Sequence, residues 1–221
     1  MTEAQTTETP RPRAAPLALD ERKAMIVDAV IPLLLEHGRA LTSRQIAEAA
    51  GVAEGTVFRA FGDKESLVEA AIRKHLDPEP VREALRSIDP SLPLEHKVRA
   101  ILYLLRERFR SVMRIMPVIG GERPPIPQER AEFARIIAEV LRPEADALNW
   151  PPERVAHILR LVSFSSAFPA LNDGQEFSID DLARIVLTGI AGELPAGFAA
   201  PLVPAGRRPA GHSASEEDPC S

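Results

Sequence analysis

The chain has 221 residues, 45% hydrophobic and 27% charged, with a formal net charge of −5 at pH 7. These values suit one or two compact domains and exclude a wholly disordered chain, a large multidomain enzyme and a polycation that coats nucleic acid through charge alone. Its 21 prolines are about twice the usual share, but with 12 glycines and no G-X-Y period they do not make a collagen-like chain.

The prolines punctuate. Residues 1–16 hold Pro10, Pro12 and Pro16 among Thr and Glu, and residues 201–221 hold Pro201, Pro204, Pro209 and Pro219 among Gly, Ser and charges; both read as flexible tails. The opening Met1-Thr2-Glu3-Ala4-Gln5 is polar, and no apolar run approaches the roughly 18–20 residues of a spanning helix. A soluble cytoplasmic protein is expected. Cys220, the single cysteine, has no partner for a disulfide or a cysteine metal site.

A first helix opens at Asp20 as N-cap, buries Ile26, Ala29, Val30, Leu33 and Leu34, and ends near Gly38. Pro32 inside it removes the amide that would bond the Asp28 carbonyl, so a bend or broken ladder is expected there. Residues 41–76 then read as helix, tight turn, helix, turn, helix. Thr42 and Gln45 form a T-x-x-Q capping box, and Gly51 supplies the positive φ that ends the helix burying Ile46, Ala47 and Ala50. The next helix is short and one-sided, with Val57 and Phe61 inward and Glu54, Gly55, Thr56 and Arg59 outward. Asp63 caps the helix that buries Leu67, Val68, Ala71 and Ile72.

Later helices are expected over about 79–88, 93–116, 126–147, 151–168 and 178–191, making the chain all-α, with no alternating strand pattern. A long stripe runs through Leu94, Val98, Ile101, Leu102, Leu105, Phe109, Val112, Met113 and Met116. Tyr103, Phe109, Met113, Met116, Phe133, Trp150, Phe164 and Phe168 are candidates to line an apolar pocket between helices, or to fill the core. The five histidines lie too far apart for a metal pair, and no nucleophile elbow, P-loop or dinucleotide fingerprint occurs, so neither metal nor cofactor nor catalytic set is expected.

The helix-turn-helix pattern places its second helix for a major groove. In register it carries Thr42-Ser43-Arg44-Gln45-Ile46-Ala47, then Ala50-Gly51-Val52, then Gly55-Thr56-Val57-Phe58-Arg59-Ala60-Phe61, then Lys64-Glu65-Ser66-Leu67. This segment resembles the DNA-binding domain of the TetR family of bacterial transcriptional regulators. The resemblance implies a DNA-binding head over 17–76 and a helical effector-binding and dimerisation domain over 77–200. It implies DNA contacts at Thr42, Ser43, Arg44, Glu54, Gly55, Thr56, Phe58, Arg59 and Lys64. Where the family usually has Tyr and often His, this chain has Phe58 and Ala60, and Ala53 replaces a capping hydroxyl; the phosphate footprint is then expected to be thinner, or shifted toward Arg44, Lys64, Arg11 and Arg13.

Residues 1–76 carry ten Lys/Arg against eleven Asp/Glu, and residues 77–200 carry 15 against 18, so DNA affinity would rest on a few placed cations and on dimerisation. The expected protein is a ligand-responsive repressor that binds a palindromic operator as a homodimer through its last two helices, with an unknown small-molecule effector. The competing reading is a helical small-molecule-binding protein or enzyme that keeps the head only as structure; a third is an interaction module working through its bundle.

Overall fold

A computed structural model describes residues 19–120, 127–168 and 174–190. The expected tails, with Arg11 and Arg13, lie outside the described residues. Those described hold nine α-helices and no strand: α1 Leu19–His37, α2 Ser43–Ala50, α3 Glu54–Phe61, α4 Lys64–Leu76, α5 Glu79–Arg86, α6 Leu94–Ile119, α7 Pro127–Leu141, α8 Pro152–Ser166 and α9 Ile179–Ile190. Among them no helix is long and apolar enough to cross a membrane.

Several boundaries differ from expectation. Helix α1 begins at Leu19, so Asp20 sits inside its first turn, where its charge meets the helix dipole, rather than capping it. The helix continues as one element through Pro32, which lies on its exposed side and, having no amide, leaves the Asp28 carbonyl without its ladder bond as expected. Helix α6 passes Pro117 and stops at Gly120, whose φ of 70° and ψ of 22° are left-handed. The segment expected as one helix over 126–147 divides at Leu141, and Arg142–Ala147 form a 3-10 turn in which Glu144 leaves helical geometry. Pro143 has no amide to continue the ladder, and the Glu144 carboxylate is drawn to Lys97 at 2.6 Å.

Two apolar clusters organise the chain. One joins α5 (Leu85), α6 (Val98, Ile101, Leu102, Leu105), α7 (Phe133, Ile136, Ile137, Leu141), α8 (Val155, Ala156, Leu159) and α9 (Leu182, Ala183, Val186, Ile190). The other joins Ile26, Val27, Val30 and Leu34 of α1 with Leu41, Ile46, Ala47, Ala50, Val57, Ala60, Leu67, Val68 and Ala71. It also takes Ile115 and Val118 from the far end of α6. That helix therefore contributes its first half to one core and its last turns to the other.

Polar contacts reinforce this joint. Arg39 Nε donates to the Val118 carbonyl at 2.8 Å. Arg108 Nη1 donates to the His75 carbonyl at 3.1 Å and its Nη2 to the Leu76 carbonyl, so an α6 side chain occupies carbonyls that α4 leaves open at its C-terminus. The His75 ring nitrogen Nε2 lies 3.0 Å from both the carbonyl and the hydroxyl of Ser111.

Candidate nucleic-acid interface

The turn between α2 and α3 is built by local chemistry. Thr42 Oγ1 accepts from the Gln45 amide at 3.3 Å while the Thr42 amide donates to Gln45 Oε1 at 2.9 Å, which completes the capping box. The Thr42 hydroxyl also donates to Gln45 Oε1 at 2.9 Å, so its proton is used at home. Gly51 ends α2 with φ 64°, and no atom lies within 4 Å of where a Cβ would stand, so backbone conformation rather than space calls for glycine. Ala53 at the α3 N-cap makes no side-chain bond, as its methyl dictates.

The two faces of α3 differ sharply. Val57 and Ala60 are buried, Phe61 is half-buried, and Thr56 is half-buried with its amide bonded to the Ala53 carbonyl at 2.8 Å. Glu54, Gly55, Phe58 and Arg59 are exposed, Phe58 to 46%. A Cβ added at Gly55 would meet the Arg59 guanidinium at 3.9 Å, so Arg59 lies back along the helix over that glycine. Arg59 has no ion pair among the described residues, which leaves its charge available on this face.

The flanking cations are partly engaged. Arg44 is exposed and pairs with Glu48 at 2.9 Å; that bond and charge, with a smaller contribution from Glu54, raise its guanidinium above the usual range. An incoming phosphate would have to compete with Glu48. Lys64 is half-buried, donating to the Arg39 carbonyl at 3.3 Å with Glu65 at 3.9 Å. Asp63 caps α4 through the Ser66 amide at 2.7 Å, which holds its carboxyl below the usual range. Ser43 is half-buried at the start of α2. The nine expected contact residues thus lie along α2, α3 and the start of α4.

The pocket candidates do not form one set. Phe109, Phe164 and Phe168 cluster, with ring centroids 5.2 Å apart edge-on and 4.5 Å apart tilted. Phe133 is buried, under the Arg82 guanidinium at 5.4 Å. Trp150 packs against the larger core, and Met116 is half-buried. Tyr103 and Met113 are exposed.

Sequence reasoning missed Arg39, which ties the α1–α2 turn to α6, because nothing local distinguishes it from other surface arginines. It also missed Lys97, fully buried, donating to the Pro90 carbonyl and to Glu144, each at 2.6 Å. Arg106 is nearly buried and donates to the Phe177 carbonyl at 2.9 Å; burial, then the Arg110 charge, pushes its guanidinium below the usual range. Both cations fall beside the apolar stripe of α6, where a buried charge leaves no sequence mark.

Residues 26–71 match the family model described as bacterial regulatory proteins, tetR family. Over 51 residues the chain is 49% identical to an uncharacterised HTH-type transcriptional regulator, YvkB, of Bacillus subtilis, covering 23% of this chain and 27% of that one. Over 70 residues it is 37% identical to the HTH-type transcriptional repressor KstR2 of Rhodococcus jostii, covering 31% and 34%. The chain thus spans about a third or less of the length of these relatives. A transcriptional regulator from Rhodococcus sp. Rha1 superposes over 78% of this chain and 99% of its own, with a TM-score of 0.53 at 18% identity, a likeness of fold.

Proposed function

We infer that this chain, whose N-terminal head belongs to the tetR family of bacterial regulatory proteins, is a DNA-binding transcriptional regulator. The observation that carries the reading is α3: a short helix anchored by Val57 and Ala60 that holds Glu54, Gly55, Phe58 and Arg59 out to solvent beside a capped, tightly turned α2. In this reading α3 enters the major groove, Arg59 and Glu54 reach base edges, and Arg44 and Lys64 neutralise phosphates.

The protein is a repressor acting as a homodimer on a palindromic operator. Leu161 and Phe164 on α8 and Ile185 on α9 are large apolar side chains left exposed, which supports pairing of these two helices with their copies. Two α3 helices would then meet successive major grooves about 34–36 Å apart. An effector that binds one head spacing better than another shifts the population off DNA, and the α4–α6 joint is the element that transmits the change.

Selection from random DNA tests this directly. An enriched inverted repeat is expected, and Arg44→Ala should weaken its binding and lower the salt dependence by about one phosphate contact. Failure to enrich any sequence would remove the reading. It would favour a helical small-molecule binder with a structural head, for which the exposed Phe58 ring, in place of a polar group, already speaks.

A further inference from the structure

The head contains a cleft of about 460 Å³ between α1, the end of α3 and α4. The cleft is shallow and largely open to solvent, so an occupant would lie against one wall with its other side in water. Its lining has two chemistries. Ala24, Val27, Ala60, Phe61 and Ala70 make an apolar floor and wall, while Ser66, Lys23, Arg73 and Lys74 make a polar side on which the last three supply positive charge.

These cations are not equivalent. Lys74 is bound to Asp28 at 2.6 Å, and Arg73 faces Glu69 at 3.9 Å. Lys23 is half-buried and has no ion pair among the described residues; its Nζ lies 5.9 Å from the centroid of the Phe61 ring. A lysine whose stem packs on the cleft wall and whose ammonium no carboxylate occupies is open to an anion, which would gain a charge-assisted contact beside the aromatic face. The small side chains of Ala24, Ala60 and Ala70 leave room for a flat ring next to Phe61.

We propose that this cleft is a binding site for a small aromatic anion, its ring against Phe61 and the alanines and its carboxylate or sulfonate on Lys23. The site is separate from the aromatic residues of the helical body. Two of its lining residues, Ala60 and Phe61, belong to α3, so an occupant bears on the seating of that helix against α1 and α4. Binding itself does not depend on the DNA-binding reading; the effect on DNA does.

Naphthalene-1-sulfonate, titrated into the full chain by calorimetry, is the probe, with naphthalene-1-methanol as the neutral control. Saturable binding of one probe per chain is expected. Lys23→Gln should weaken it about tenfold, the scale of one charge-assisted contact, and bring it near the neutral control. Ala24→Phe, at an exposed position of α1, should fill the cleft and abolish binding while leaving the melting temperature in place. Binding of equal strength in wild type and both variants, or no binding at millimolar probe, overturns the proposal. So does a Lys23→Gln chain that loses DNA affinity and salt dependence while keeping probe affinity, since Lys23 would then serve a phosphate of the duplex. If a selected operator exists, the probe should lower its affinity in wild type and not in Ala24→Phe. If no operator is found, the calorimetric arm still decides the cleft.

Discussion

Ile115 belongs to α6 by sequence but lies fully buried among side chains of α1 to α4. Ile115→Ala removes three carbons from that cluster. At about 0.8 kcal/mol per methylene the transfer contribution is about 2.4 kcal/mol, and the cavity left behind raises the cost to about 3 kcal/mol. A loss of that size increases the population of the opened head roughly 150-fold. Native-state hydrogen exchange read by mass spectrometry resolves where the loss falls. Peptides of α1 to α4 and of the last turns of α6 should exchange faster, while α7 and α8 keep their protection. Leu102→Ala removes the same number of carbons from the other core and serves as the contrast, with α7 and α8 affected first. Unchanged protection of α1 to α4 in Ile115→Ala would show that the head does not depend on α6, and the coupling described for the joint would fall with it.

Other outcomes follow from single contacts. Lys97→Met should cost about 3–5 kcal/mol in urea denaturation because Glu144 loses its partner, whereas the double change Lys97→Met with Glu144→Leu should recover most of it. Thr42→Ala should cost about 1 kcal/mol through the lost α2 cap, measured the same way. The Asp63 carboxyl is held low by the Ser66 amide, so its contribution is complete above the unfolded value near pH ~4 and disappears as pH falls through the lower folded value. The stability difference between wild type and Asp63→Ala should therefore narrow below pH ~4; a gap that widens there would contradict the assignment.

The parts legible in the sequence are those decided within three or four residues. The Thr42–Gln45 box, the left-handed Gly51 and the Asp63 cap each satisfy backbone groups that any helix end leaves open, and the residue types alone state the solution. The inward face of α2 follows from spacing in the same way. The Arg44–Glu48 pair also sits at i,i+4 and was open to the same reasoning. What spacing does not state is which neighbour a face meets. The stripe of α6 marks Val98 and Ile115 alike as apolar, yet they serve different cores, because that division depends on where α1 and α4 dock. Aromatic type and helical period likewise grouped Tyr103 with Phe133, although one is exposed and the other packed under Arg82.

The borrowed turns of α6 also set an order of events during synthesis. Domains emerging from a ribosome tend to fold from the N-terminus at about 5–20 residues per second. The last residue of α4 is Leu76, but the cluster that seats it is complete only with Val118. The ribosome therefore needs about 2–8 s more to reach Val118. Through that interval Ile26, Val30, Leu67 and their neighbours lack a lid, so the nascent head is the segment of this chain that a chaperone would meet first.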